Sequence, residues 1–368
     1  MKGIIKVRLP IKAITKIHAY LSLVFSLPLI IVCATGSILV YKSEIGSVFT
    51  PQVTDVSAHI NIKPDFADFH YRRKAFDELK RIVNRKFPRY DVVGWNIDKN
   101  PQKADRVWLI EKGGSEWEDI YVDAFSGDIK SEPRPHDEGF FGVLVHIHEG
   151  LLMERAGQVI VGFTGIFAIF IAVSGLLLHR NFWRNLLRLR FSRLTTFASD
   201  AHKAIGVYCA PILIAVSVSG AWWDLRFLFT TPPQNLVPQK IDNNLSIDAL
   251  VKKAQENFPG FNLHYIGLFP HGDAAITLFG YKADQNFLHN EYSSQVVFDG
   301  SGNLKQIKDI SEADFTERLL SSFRKAHFGN YNEATKFLWF LAGLAPLFLG
   351  ISGFYLWMKR SNFKRRKA

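Results

Sequence analysis

The chain has 368 residues and a formal net charge of +11, its mean hydropathy is +0.03, and hydrophobic residues make up 48% of it. That apolar fraction is high for a soluble protein, and it is concentrated in a few stretches. The positive charge is most unbalanced in three short stretches beside these apolar segments, which argues against a nucleic-acid-binding protein.

Four apolar stretches predict membrane spans. Each is about 20 residues long and almost uncharged, the length that crosses about 30 Å of hydrocarbon as a helix. They are residues 21–40, 159–178, 205–223 and 337–357. The first stretch is too long for a signal peptide and no small-residue cleavage site follows it, so we expect it to remain as an anchor. Cys33 and Cys209 lie inside spans, so we expect no disulfide and no thiolate metal site.

The basic residues predict the orientation of these spans. The three basic stretches, before the first span, between the second and third, and after the fourth, contain one acidic residue, Asp200. The positive-inside rule places both termini and this loop in the cytoplasm and the intervening segments outside, which in a bacterium is the periplasm beyond the inner membrane. The basic stretches are also suited to anionic lipid head groups.

The first and third spans carry the same pattern. His18 precedes Gly36 by eighteen positions, and His202 precedes Gly220 by the same interval. Eighteen residues are five helical turns, so the histidine and the glycine share a face in each helix. Both stretches have a proline near the middle and a small hydroxyl residue before or beside the glycine.

The second and fourth spans match in the same way. "AVSGLLLHR" resembles "GISGFYLWMK" through their Ser-Gly pairs. Upstream, His148 precedes Gly175 by 27 positions and His327 precedes Gly353 by 26. The chain therefore contains four pairs of a histidine and a glycine. Two pairs belong to the first and third spans, and two belong to the second and fourth.

The segments between the spans repeat too. Residues 76–97 and 247–268 each read as an amphipathic helix that ends at Phe-Pro and is followed by an alternating strand. Residues 119–129 and 294–304 each predict a hairpin around a turn rich in Asp, Ser and Gly. A span, a small α+β domain and a second span thus occur twice in one orientation, which predicts a pseudo-twofold axis along the membrane normal.

These patterns predict an α-helical membrane protein with four transmembrane helices and two small periplasmic α+β domains. The predicted parts are 1–46 (N-terminus and first span), 47–145 (first domain), 146–180 (second span), 181–203 (basic cytoplasmic loop), 204–229 (third span), 230–326 (second domain), 327–358 (fourth span) and 359–368 (basic cytoplasmic tail).

The four histidines form two predicted pairs. The pseudo-twofold sets His18 opposite His202 at the cytoplasmic ends of the first and third helices, and His148 opposite His327 at the outer ends of the second and fourth. Each pair supplies two axial imidazoles for one iron, which predicts two bis-histidine haems stacked through the bilayer. Interfacial side chains or a proton path are the alternatives.

The four glycines support this interpretation. Gly36 and Gly220 fall at the outer histidine level, and Gly175 and Gly353 fall at the inner level. We expect them to leave room for a flat macrocycle, although close packing of helices explains glycines alone.

Two further histidines leave the ligand assignment open. His179 lies one turn after Gly175, so it could replace a ligand or hold a haem propionate. His146 lies two positions before His148, and the repeat offset favours His148 as the ligand. We expect the remaining histidines to be surface residues: His59, His70, His136, His264, His271 and His289. No dinucleotide or phosphate-binding motif is found, so a nicotinamide or flavin site would belong to another protein.

The sequence resembles the PepSY-associated transmembrane family, and within it the bacterial inner-membrane ferric-siderophore reductases. The resemblance covers nearly the whole chain and is carried by "IHAYLSL" with "TGSILVYKSEI", "VHIHEGLLMERAGQVIVGF" with "SGLLLHR", "AHKAIGVYCAP" with "SGAWW", "AHFGNYNEATKFLW" with "SGFYLWMKR", and the PepSY-like "YVDAFSGDI" and "VVFDGSGNL".

The resemblance implies two b-type haems and an oxidoreductase that delivers electrons across the membrane to a ferric siderophore, with release of Fe(II). His18, His202, His148 and His327 match the family's histidine positions, whereas His179 stands where many members have Trp. The siderophore and the cytoplasmic or membrane electron donor stay open. Two alternatives are a membrane-anchored module that restrains a periplasmic enzyme without redox activity and, less favoured because the spans nearly lack carboxylates, a transporter.

Overall fold

The computed structural model describes residues 10–56, 73–135, 138–179, 188–230, 241–242, 245–268 and 275–365. The chain divides into two compact units. A helical unit contains Met1–Val40, Phe140–Thr231 and Ala326–Ala368, and a sheet unit contains Tyr41–Gly139 and Pro232–Lys325. Parts of all three basic stretches, residues 1–9, 180–187 and 366–368, lie outside the described residues.

The elements follow one another in an order that is similar in the two halves of the chain. The first half contains α1 (Ile11–Val40), α2 (Lys42–Phe49), α3 (Pro51–Thr54), α4 (Phe76–Lys86), β1 (Tyr90–Asn96), β2 (Asp105–Glu111), β3 (Trp117–Val122), β4 (Arg134–Pro135), α5 (Gly139–Gly150) and α6 (Glu154–Leu178). The second half contains α7 (Leu194–Leu225), α8 (Ile247–Asn257), β5 (Phe261–Gly267), β6 (Ile276–Lys282), β7 (Ser294–Phe298), β8 (Leu304–Lys308), α9 (Phe315–Phe328) and α10 (Glu333–Arg365).

Four of the described helices, α1, α6, α7 and α10, are long and apolar enough to cross a membrane, with mean hydropathies of 1.9 to 2.5. Each of the four predicted spans is therefore a helix of suitable length and composition, as expected of a multi-pass membrane protein. α1 packs against α6 and α10, and α7 packs against the same two helices. α1 and α7 consequently occupy opposite corners of a four-helix arrangement. Small residues allow the close approach, since a side chain at Gly162 or Gly343 would collide with Leu225 or Ser37.

The outer histidines do not lie on the spanning helices. α5 carries His148 and ends at Gly150, and the chain then turns through Leu151 and Leu152, whose φ angles are 51° and 61°, before α6 begins. α9 carries His327, and the chain turns at Gly329, with φ of 64°, before α10. The sequence predicts these histidines at the outer ends of the second and fourth spans. The structure places them instead on two short helices that precede those spans.

The described residues of the sheet unit form one antiparallel sheet of eight strands in the order β4-β3-β2-β1-β5-β6-β7-β8. Both amphipathic helices end at Phe-Pro as the sequence predicts, because proline disfavours helical backbone at the residue before it. Residues 294–304 form a hairpin of β7 with β8, whereas at 119–129 the chain turns back after β3 into an isolated bridge between Val122 and Ile129. β1 and β5 join the halves, with Trp95 opposite Ile266. Both residues belong to one hydrophobic core with Leu79 of α4 and Leu250 of α8. The two predicted α+β segments thus share a sheet and a core.

The helices α4 and α8 cap each other across the two halves. The Asp248 carboxylate accepts hydrogen bonds from the backbone N–H groups of Phe76 and Asp77 at 3.0 and 2.9 Å. In return the Asp77 carboxylate accepts from the N–H of Ile247 at 2.8 Å and from the Ser246 hydroxyl. Each helix N-terminus therefore has its exposed amides satisfied by an acid from the other half.

Two of the six histidines expected at the surface are buried. His264 on β5 and His289 before β7 are each 7% exposed. The Nδ1 atom of His289 lies 2.5 Å from the Ser321 hydroxyl on α9, so a hydrogen bond explains its burial. The expectation of surface positions is therefore wrong for these two residues. The other four, His59, His70, His136 and His271, lie outside the described residues.

Candidate functional site

The inner histidines each point Nδ1 at a serine on a neighbouring spanning helix. His18 Nδ1 lies 2.9 Å from Ser174 Oγ and 3.1 Å from the Ile171 carbonyl oxygen of α6. His202 Nδ1 lies 2.8 Å from Ser352 Oγ of α10. The α1–α6 and α7–α10 contacts therefore hold the two imidazoles in the same way.

The outer histidines repeat this arrangement against the other two spanning helices. His148 Nδ1 lies 2.8 Å from the Val32 carbonyl oxygen and 3.4 Å from Thr35 Oγ1 of α1. His327 Nδ1 lies 3.2 Å from the Val216 carbonyl oxygen and 3.0 Å from Ser219 Oγ of α7. In both cases the carbonyl belongs to the residue three positions before the hydroxyl residue, as it does for His18.

These contacts fix the tautomer of the histidines. A carbonyl oxygen only accepts hydrogen bonds, and the Ser219 hydroxyl already donates its hydrogen to the Ala215 carbonyl at 2.8 Å. Nδ1 must therefore carry the imidazole hydrogen. Among the described residues, none forms a hydrogen bond with Nε2 of His18, His148, His202 or His327. The lone pair of Nε2 is thus left available for a metal, as in metal-binding histidines whose other nitrogen is held by an acceptor.

The glycines make room for the imidazole rings themselves. A β-carbon at Gly36 would lie 2.6 Å from Cε1 of His148, and one at Gly220 would lie 3.1 Å from Cε1 of His327. At Gly175 and Gly353 the corresponding distance to Cε1 of the inner histidine is 3.3 Å. The expected free space for a macrocycle beside the glycines is therefore filled by the histidine rings. A side chain there would push the ring away from its hydroxyl and carbonyl partners.

The structure brings the outer pair together. The ring centroids of His148 and His327 are 6.0 Å apart, and the ring planes meet at 68°. A metal bound about 2.0 Å from each imidazole nitrogen sets the centroids about 6 Å apart, so the separation fits an iron shared between two axial imidazoles. At the inner level, His18 and His202 lie on the two helices at opposite corners, and His202 is within electrostatic range of His18.

The surroundings of His146 and His179 bear on the open alternatives, and a propionate contact of His179 stays a prediction. His148, rather than His146, has its imidazole against α1 at Gly36. His179 caps the end of α6, where its backbone N–H donates to the Gly175 and Leu176 carbonyls, both at 3.1 Å. The place beside Ser174 and Gly175 is taken by His18.

Two contributions to the site are not predicted from the sequence. The hydroxyl residues before the glycines mark the repeat, but that they hold Nδ1 is seen only in the structure. The second contribution is Trp223, whose ring centroid lies 5.0 Å from that of His327. The only sequence signal for the hydroxyl contact is the repeated Ser/Thr-Gly pair on the helix that faces each histidine.

The chain is similar to the uncharacterized protein PA4219 of Pseudomonas aeruginosa, with 24% identity over 253 residues. The match covers 59% of this chain and 63% of that protein, so the chain spans less than two thirds of the relative's length. The family described as "PepSY-associated TM region" matches residues 15–360, nearly the whole chain. The chain is therefore a member of the PepSY-associated transmembrane family.

Proposed function

We propose that this protein is a di-haem b electron-transfer protein of the bacterial inner membrane that reduces ferric siderophores in the periplasm. The observation that carries the proposal is the shared state of four histidines. Each has Nδ1 held by a helix hydroxyl and Nε2 free among the described residues. A proton path would favour histidines that exchange both nitrogens with water or acids, whereas an axial ligand needs this fixed tautomer.

The residues that would hold the haems are His148 with His327 at the outer level and His18 with His202 at the inner level. When bound, haem supplies one-electron chemistry, and its axial ligands and burial set the reduction potential. The Thr35 and Ser219 hydroxyls fix the outer rings, and the apolar helices keep water away from them. A neutral imidazole adds no charge to this low-dielectric region.

The proposed orientation follows from the charges and the order of elements. The pseudo-twofold axis would run along the membrane normal between the two halves, with both termini in the cytoplasm and the sheet unit in the periplasm. The reducing equivalents come from a cytoplasmic or membrane donor. The substrate is an Fe(III) chelate, and reduction to Fe(II) releases the iron because hard oxygen ligands hold Fe(II) less tightly.

Absorption spectroscopy of the purified protein tests the haem assignment. We expect a Soret band and, after dithionite reduction, split α and β bands. His148→Ala is expected to remove part of the haem signal, whereas His146→Ala, two positions away on the same helix, is expected to keep all of it. A colourless protein from haem-replete cells, or full haem content in His148→Ala, would contradict the proposal.

The regulatory-module alternative is separated by a functional test. If the helices only anchor the sheet unit, alanine at His18, His148, His202 and His327 together leaves function intact. The redox proposal expects that variant, confirmed to be folded and inserted, to lose reduction of a ferric chelate on the outer side of reconstituted vesicles. Retained reduction would reject it.

A further inference from the structure

The central strands β1 and β5 carry the same backbone irregularity with different side chains. Each strand has a bulge, at Val93 in β1 and at His264 in β5. Both bulged residues use their carbonyl in the same way, since Leu268 N–H donates to Val93 at 2.9 Å and Ile97 N–H donates to His264 at 3.0 Å. The backbone at this position therefore accepts a plain apolar residue, and the second half has an imidazole instead.

The His264 imidazole is buried and has no hydrogen-bond partner among the described residues. The residue is 7% exposed, and neither ring nitrogen forms a hydrogen bond within the described part of the chain. A buried polar group in this state needs an explanation beyond packing, and bulges frequently direct a side chain toward a functional site.

Aromatic rings and a cation surround the imidazole. The ring centroid of Tyr292 lies 4.7 Å from that of His264, nearly edge-on at 77°, and that of Tyr265 lies 6.3 Å from Tyr292. The Tyr292 hydroxyl donates to Asn96 Oδ1 at 3.0 Å, which fixes the ring. The guanidinium carbon of Arg324 lies 4.8 Å from the Tyr292 ring centroid. These contacts form a rigid wall on one side of His264.

The charges around this wall are mostly positive. Burial, together with the charges of Lys99 and Arg324, lowers the pKa of His264 to about 4, while Glu291 acts in the opposite direction. Burial alone would raise the pKa of Glu291, but the charge of Lys99 and a backbone hydrogen bond within Glu291, with a smaller contribution from Arg324, outweigh it and lower the pKa. Lys325 is also within electrostatic range of Glu291. Three permanent cations, Lys99, Arg324 and Lys325, therefore lie around the carboxylate of Glu291, and Arg106 and Asp98 add one charge of each sign near Tyr292.

We propose that His264, Lys99 and Arg324 form a binding site for a small di- or tricarboxylate in the sheet unit. Lys99 and Arg324 supply charge for the carboxylates, and the neutral imidazole of His264 donates one directed hydrogen bond. The carboxylate of Glu291 disfavours a monoanion, because it already neutralises part of the positive charge. All these residues belong to the sheet unit, so the proposal does not rest on haem binding.

Isothermal titration calorimetry of the full-length protein in detergent with citrate tests this site. We expect citrate to bind the native protein. We expect His264→Val and Lys99→Ala each to raise the dissociation constant for citrate at least tenfold. Lys252→Ala is the matched control, because its side chain is 79% exposed on α8, and it is expected to stay within twofold. No citrate binding to the native protein, or equal affinity in His264→Val and the native protein, would overturn the proposal.

A thermal melt of His264→Val guards against simple unfolding. Since valine occupies the equivalent bulge at Val93, the variant is expected to melt no lower than the native protein. If it does unfold, Lys99→Ala decides the question, because Lys99 is exposed and its described aromatic contact is to Tyr281 at 4.8 Å. Citrate affinity unchanged in a folded Lys99→Ala would reject the site.

Discussion

Replacing Gly36 with alanine tests the geometry of the outer histidine site. The new β-carbon would lie 2.6 Å from Cε1 of His148, whereas carbon atoms make ordinary contact at about 3.5–4.0 Å. The imidazole must therefore move by about 1 Å. Its hydrogen bond from Nδ1 to the Val32 carbonyl is 2.8 Å long, so a shift of that size breaks it.

The magnitude follows from two opposing contributions. Overpacking a tight contact costs about 1–3 kcal/mol, and loss of a buried hydrogen bond costs about 1 kcal/mol more. Alanine gains up to about 1 kcal/mol over glycine in a helix. Gly36→Ala is therefore expected to destabilise the protein by about 1–3 kcal/mol. At Gly353, where the contact is 3.3 Å, a small relaxation suffices and the change is expected to be near zero.

Thermal unfolding in detergent, followed by tryptophan fluorescence, measures both variants. Gly36→Ala is expected to melt several degrees below the native protein and to lose outer-site haem absorbance, with Gly220→Ala intermediate because its contact is 3.1 Å. Gly353→Ala serves as the matched control. If Gly36→Ala and Gly353→Ala melt together with the native protein, the glycines do not position the imidazoles and the reasoning fails.

Two further predictions concern the sheet unit. In Asp77→Ala the N-terminus of α8 loses the acceptor for the Ile247 N–H, which is expected to lower the free energy of unfolding in urea by about 1–2 kcal/mol. Hydrogen bonds from Ser246 and Ile247 outweigh burial and lower the pKa of Asp77 in the native protein, so the difference between variant and native protein should shrink as the pH falls below about 4. A difference that persists at pH 2 would contradict this. Burial raises the pKa of Asp98 to about 6, so the native protein loses stability as the pH rises from about 4 to 6. The free energy of unfolding of Asp98→Asn is expected to exceed that of the native protein by about 1–2 kcal/mol at pH 7.5 and to equal it at pH 3.5. An equal effect at both pH values would refute the assignment.

The sequence predicts the local elements because their patterns are local. Long apolar runs specify the spans, and an amphipathic period that ends at Phe-Pro specifies α4 and α8 with their following strands. The pairing of β1 with β5 depends on segments from opposite halves of the chain, and no local pattern encodes it. The shared sheet and core were therefore beyond sequence reasoning.

The repeat spacing in the sequence selects the histidines of the candidate site, but it does not predict which atoms contact their imidazole rings. Repeat spacing selects His148 over His146, and in the structure His148 is the one against Gly36. The turn that separates α5 from α6 uses left-handed backbone at Leu151 and Leu152, and leucine rarely adopts this conformation, so the residue types there do not indicate the turn. The role of the glycines could not be inferred because spacing says which residues share a face, not which atom fills the space beside them.

Each half of the chain holds its own imidazoles. The partners of His18 and His148 lie in the first half, and those of His202 and His327 lie in the second. His148 and His327 therefore form a pair of independently supported rings. The residues around one histidine can change without disturbing the position of the other. Trp223 illustrates this divergence, because its ring lies beside His327 where the first half has Leu39 in the equivalent position after its Thr-Gly pair.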